Sequence, residues 1–296
     1  MKKQDVLIFI VALIMMFSFS ALSHGQTMLE EYNLSEYTSK YGNILPIGVN
    51  NEGKAFAPAV QEGNLRVVKY LVETYPWLNL LNTPIENEDG EKEQPICIAA
   101  GKGYTKLVTY MVDKDPNLVN KDCQDDEMQK DYKAIGKALN HGFADTALAL
   151  LELNSPVRTS WRWNRFNKPT GFRPVLFVIV ATTFKDRETL EKLIPALLDA
   201  GTPTDELNGS SGHYRDAFDA AANNKNINFI EVLRDEMIKR GQTPISNIEI
   251  YATGPKDLQE RISWHEEAKE FLQSYGVIQR YTSYSADIMK ADMKFE

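Results

Sequence analysis

Cysteine and histidine are scarce in this sequence, and each shortage closes off a class of protein. Two cysteines in 296 residues exclude a disulfide-dense scaffold and any metal cluster built on four thiolates. At most one intramolecular bridge is possible. The four histidines are His24, His141, His213 and His265; none has a second histidine four residues on, so His265-Glu266-Glu267 fails the metalloprotease pattern. A glycine-rich phosphate loop and a Gly-x-Ser-x-Gly elbow are missing as well. Gly209-Ser210-Ser211-Gly212-His213 reads as a flexible connector, because neighbours in a loop rarely face one another as nucleophile and base. Positive charge is also short, with 33 basic residues against 41 acidic ones and a formal net charge of −8. That balance excludes a general nucleic-acid or anionic-membrane binder. The expectation is a chain with no cofactor, no metal site and no enzymatic activity. What remains is 43% hydrophobic and 25% charged, enough for a folded body of one or two domains.

The one long uncharged apolar run stands at the start. Lys2 and Lys3 precede Val6 to Leu22, and the run ends in Ser23, His24 and Gly25. A positive n-region, an apolar h-region and small residues before a cut are the parts of a secretory signal. Residues 1–25 are therefore expected to be a bacterial-type signal peptide cut after Gly25, placing the protein in the periplasm or outside the cell with no stable membrane insertion. The alternative is a retained anchor, since the run is close to the length a spanning helix needs.

Beyond it the sequence repeats. A shift of 40 residues superposes Ala59 on Ala99, Gly63 on Gly103, Val68 on Val108, Leu71 on Met111, Pro76 on Pro116 and Leu78 on Leu118, and a further shift of 39 brings Ala138, Gly142, Ala147 and Leu150 into the same columns. Small and apolar residues come before the glycine, and apolar residues spaced three and four apart follow it. Each unit thus reads as two short helices joined at a tight turn. Helices this short need a neighbour to cover their apolar face.

The units resemble the ankyrin repeat. The second is clearest: Asp89-Gly90, then Pro95-Ile96-Cys97-Ile98-Ala99-Ala100, Gly103, and Leu107-Val108 through Met111-Val112. A fourth runs from Pro174-Val175-Leu176-Phe177 to Leu197-Leu198-Asp199-Ala200-Gly201, and a fifth from Ala217-Phe218-Asp219-Ala220-Ala221-Ala222 through Asn226 to Leu233. The period is longer than the family's, no unit keeps its Thr-Pro-Leu-His, and Pro195 is expected to kink or restart a helix. Val175 to Ala181 could be a buried strand by composition; Pro174, matching Pro95, favours helix. The resemblance implies an all-α fold, an ankyrin-like helical solenoid of about five divergent helix-turn-helix repeats over residues 54–256. Residues 26–53 read as an N-terminal cap, and residues 257–296 as a C-terminal cap helix and tail. Cys97 stands where the family has histidine, and Cys123 lies in the following loop; in an oxidising compartment they could be bridged, or remain two separate thiols.

Residues 155–173 break the acidic trend. The segment carries five positive charges, no acid and two of the four tryptophans, and it lies between the third and fourth units, where the family projects a finger. Tryptophan and arginine dominate binding hot spots, so Arg158, Trp161, Arg162, Trp163, Arg165 and Phe166 are the candidate partner-binding residues, unless the segment clasps its own body. The resemblance implies a module that grips a protein partner in the envelope or outside the cell, through a concave face and finger loops. The alternative is an envelope glycan or other anionic ligand held by the Trp/Arg-rich segment. The acidic stretches Glu86 to Glu93 and Asp122 to Asp131 read by default as solvated charge.

Overall fold

The structure, a computed structural model, describes residues 52–123, 133–157, 176–204, 208–210, 213–252 and 255–285. Helix predominates among them. Five helix pairs follow one another: α1 (Glu52–Gln61) with α2 (Leu65–Thr74), α3 (Pro95–Gly101) with α4 (Thr105–Lys114), α5 (Ala134–Asn140) with α6 (Ala144–Glu152), α7 (Leu176–Thr183) with α8 (Arg187–Asp199), and α9 (Ala217–Asn223) with α10 (Ile227–Lys239). Each first helix packs on the first helix of the next pair, from α1 through α3, α5 and α7 to α9, and α4, α6, α8 and α10 make a second row. One continuous apolar core runs through both rows from Ala55 to Val277.

The turn inside a pair is built the same way in four of the five. After α1, Gly63 takes φ +70°, its N–H donates to the Val60 carbonyl at 3.1 Å, and the Asn64 N–H donates to the Ala59 carbonyl at 2.8 Å. Gly103 and Tyr104 repeat this on Ala100 and Ala99, Gly142 and Phe143 on Leu139 and Ala138, and Lys225 and Asn226 on Ala222 and Ala221. This is the Schellman closure, which satisfies orphan carbonyls at a helix end by one left-handed residue. The fourth pair departs from it. Phe184 donates to the Val180 carbonyl, and Asp186 caps α8 by accepting from the Thr189 N–H at 2.8 Å.

The same glycines also make the joint between pairs. A Cβ on Gly63 would come within 2.7 Å of the Tyr104 ring, and one on Gly103 would collide with the Phe143 ring. Each aromatic belongs to the residue after the next unit's glycine, so the bare backbone of one turn is the seat for the ring of the following one. Tyr104 adds a hydrogen bond from its hydroxyl to the Gln61 carbonyl at 3.2 Å. At the last joint the ring is replaced by Asn226, whose side-chain amide donates to the Ala181 and Phe184 carbonyls at 2.8 and 2.7 Å.

Three expectations are revised. α8 does not restart at Pro195 but continues over Arg187–Asp199, with fully buried Leu193, Ile194 and Leu197 holding it on both sides of the proline. The Gly209-to-His213 connector is part of a hairpin, β3 (Asn208–Ser210) with β4 (His213–Arg215). The C-terminal region is not helix and tail alone. It forms β5 (Ile245–Ala252), α11 (Pro255–Ser263), α12 (Glu266–Ser274) and β6 (Ile278–Ser285), with β6 parallel to β5 in a sheet ordered β3-β4-β5-β6. Parallel strands require a crossover, and the two helices provide it. Ser246, Ile248 and Ile250 are buried at every second position of β5, the period of a strand with one covered face.

Two outcomes follow. Gly103→Ala forces a side chain into a left-handed turn and against Phe143, and it is expected to cost about 2 kcal/mol or more in denaturant unfolding. A loss no larger than that of Gly90→Ala, whose Cβ would meet nothing, would contradict the glycine-to-ring joint.

Candidate functional site

Arg158, Trp161, Arg162, Trp163, Arg165 and Phe166 lie outside the described residues, as do 124–132 of the second acidic stretch. The first acidic stretch is in view and is partly paired. It forms the hairpin β1 (Ile85–Glu86) with β2 (Lys92–Glu93); Glu93, 4% exposed, meets Lys137 at 2.9 Å, and Glu88 meets Lys102. Asp122 meets Lys133 at 2.6 Å. Glu93 ties the second unit to the third, whereas Glu88 pairs within its own unit and remains largely exposed.

Cys97 on α3 and Cys123 are joined in a disulfide with their Cα atoms 5.4 Å apart. Both are buried, and the Gln94 N–H just before α3 donates to the Cys123 carbonyl at 2.9 Å. Bridge and hydrogen bond together fasten the start of the second unit to its end.

A buried polar cluster that no sequence motif announces lies where the last helix pair meets the sheet. Asp216 and Asp219, both fully buried, are its centre. Asp216 caps α9 by accepting from the Asp219 N–H at 3.1 Å, and its two oxygens also accept from the Ser246 hydroxyl at 2.9 Å and the Asn247 N–H at 2.6 Å on β5. Asp219 Oδ1 sits 3.1 Å from His265 Nδ1, at the corner between α11 and α12, and 3.1 Å from the donating Gln279 amide on β6; its Oδ2 accepts from Asn223 at 3.0 Å. The Tyr281 hydroxyl completes the set by donating to Gln279 Oε1 at 2.7 Å. One turn of α9 therefore holds both long strands and the helical crossover.

Desolvation is the largest influence on Asp216 and Tyr281. Burial pushes the Asp216 carboxyl up to about 7 against the pull of its three donors, with neighbouring Asp219 pushing the same way. Burial also raises the Tyr281 phenol to about 12, helped by Glu266 and Asp219. Serine, histidine and aspartate all occur here, but in the wrong order for acyl transfer. Ser246 donates to a carboxylate and not to the imidazole that would have to accept its proton. His265 is only 3% exposed, so the arrangement is fitted to hold elements together.

Sequence reasoning had two signals available. Asp216 directly precedes the apolar run of α9, the position of a helix cap. Asp219 is a carboxylate inside a helix whose other positions from Ala217 to Ala222 are all apolar and buried, and such a group must find a partner. His265 and Gln279 are 46 and 60 residues further on, beyond any local pattern. Of the remaining histidines, His141 follows α5 immediately before the turn glycine, and His213 lies in β4 opposite Ile250. Among the described residues no group of three His, Cys, Asp or Glu is disposed to hold a metal ion.

No protein-family model matches the chain, and no curated protein was found to match it.

Two measurements bear on these contacts. Replacing Cys97 and Cys123 together by Ala removes the closure of a loop spanning 26 residues and is expected to lower unfolding free energy by about 3 kcal/mol; an unchanged stability excludes the bridge. For Asp216, folding raises the carboxyl from 3.8 to about 7. The folded state thus keeps a proton that the unfolded chain has released. Its contribution is fully present below pH 4 and is lost as pH rises through 7, a change on the order of 4 kcal/mol. Asp216→Asn is expected to flatten that slope between pH 4 and 7, and a slope equal to wild type sinks the assignment.

Proposed function

We propose that this protein is an exported, ankyrin-like solenoid of divergent repeats that binds another protein and performs no chemistry of its own. One observation carries the reading. The Schellman turn with its left-handed residue recurs at Gly63, Gly103, Gly142 and Lys225, and at two joints the ring after one glycine, Tyr104 or Phe143, seats on the glycine before it. Such a joint sets one helix pair beside the next, which supports a stack of units that presents an extended surface. The 155–173 segment belongs to one of those connections, between α6 and α7. Its tryptophans and arginines suit an anchoring contact.

Export is supported from two directions. Lys2, Lys3 and the apolar run after them have the make-up of a signal peptide, and a buried disulfide persists in an oxidising compartment such as the periplasm or the exterior. A glycan or other anionic ligand is the competing occupant of the basic segment. It differs from a protein partner in one measurable respect, since binding led by charge weakens steeply with salt.

The test is affinity capture of envelope proteins on wild-type chain and on a variant with Trp161, Arg162 and Trp163 all changed to Ala. Loss of the captured protein from the variant, with capture by wild type holding at raised salt, is the expected result. Equal capture by both removes the segment from the interface. Capture of nothing by wild type, alongside salt-sensitive retention of purified glycan, replaces the protein-binding reading by the glycan one.

A further inference from the structure

The sheet beside the last helix pair has two working faces. Ser246 and Gln279 point into the Asp216–Asp219 cluster. Their neighbours Ile245, Asn247 and Arg280 lie on the opposite face, where the register sets Asn247 beside Arg280 and Ile245 beside Ile278. Against that second face, between it and the C-terminal ends of α8 and α10, is a cavity of about 570 Å³. This volume falls in the range of small-ligand sites.

Its walls divide by chemistry. Leu198, Met237 and Ile245 form an apolar part, while Gln242, Asn247, Thr202 and Thr204 offer amides and hydroxyls. Among the described residues no acidic side chain lines it, in a chain with a formal net charge of −8. Two arginines do, and they are not equivalent. Arg240 is occupied: it meets Asp199 at 2.7 Å and Glu236 at 3.6 Å and donates to the Pro195 carbonyl at 3.4 Å, so it seals the ends of α8 and α10. Arg280 is exposed and makes no ion pair among the described residues. Thr202 is 5% exposed and its hydroxyl finds no hydrogen-bond partner in the wall. A buried polar group left unsatisfied beside a cavity marks a place where a bound molecule or water completes the bonding.

We infer that this cavity binds a small carboxylate with a compact apolar body. Arg280 takes the carboxylate through its planar fork of donors. The Asn247 amide flanks the same oxygen atoms, its backbone N–H being held by Asp216. The apolar body rests on Leu198, Met237 and Ile245. Such a group can come from a free organic acid or from the C-terminal residue of a peptide, and both present the same chemistry to Arg280. The inference does not rest on the protein-binding reading, because the cavity and the 155–173 segment share no residue.

The experiment is a nuclear magnetic resonance titration of the whole mature chain with N-acetyl-leucine and with its uncharged amide. The acid is expected to shift the Asn247 and Thr202 resonances at millimolar concentration, and the amide to bind about tenfold more weakly or not at all, the loss that goes with one charge-assisted hydrogen bond. Arg280→Gln should weaken the acid by about tenfold, and Arg280→Lys by less, with thermal stability unchanged because Arg280 is exposed. Thr204→Trp, which fills the cavity from its rim, should abolish the shifts. A second arm uses acetyl-Gly-Gly-Gly-Leu as acid and as amide. Tighter binding of the peptide acid than of N-acetyl-leucine identifies a chain terminus as the source, and equal binding identifies a free acid. Equal affinity for acid and amide, no shift with either, or full binding by Arg280→Gln or Thr204→Trp overturns the inference.

Discussion

Helices of seven to ten residues are marginal in water even with favourable composition, and α1 to α7 are all of that size. The structure therefore depends on one contact, the ring of Tyr104 or Phe143 seated on the backbone of the preceding unit's glycine. A side chain at that glycine would push the next pair away and uncover the apolar faces of both. The left-handed φ serves the same end, since it turns the chain tightly enough to bring the second helix back along the first. Two demands meet at one residue. That is why glycine, and not merely a small residue, holds the position in the first two units, while at Gly142 the left-handed φ alone favours it.

Along the stack the joint changes character. The first two are aromatic and apolar, the third brings Gly142 to ordinary contact distance of Thr183, and the last is made by the Asn226 amide reaching two carbonyls of the fourth unit. Past α9 the pattern stops and a buried hydrogen-bonded cluster replaces stacking altogether. An apolar face at the end of a row would be open to another copy or to aggregation. The sheet and its crossover helices cover that face, and Asp216 and Asp219 fix where they sit, because hydrogen bonds to a buried carboxylate are directional in a way that apolar contact is not.

Charge shows the same economy of placement. Glu93, Glu88 and Asp122 come from stretches that look like loose acidic loops, and each is matched to a lysine on a neighbouring helix or loop. Partly exposed pairs of this kind contribute little individually. Their effect is on the position of the segments that connect the helix pairs.

The repeat, the turn glycines and the helical character of the pairs were legible in the residues from Phe56 to Leu150, because short helices joined by a left-handed turn leave a local signature of small residue, glycine and apolar spacing. Pro174 favours the helix at Leu176–Thr183, although the all-apolar composition there suits a strand equally well. The C-terminal sheet was not legible. β5 and β6 are separated by two helices, and a parallel pairing carries no turn signal in the chain between them. Nor was the cluster of Asp216, Asp219, His265 and Gln279, whose members are brought together only when the strands close over α9. Local geometry is written in neighbouring residues. Which distant strand covers an exposed helix, and which carboxylate then loses its water, is settled only by the packing of the whole chain.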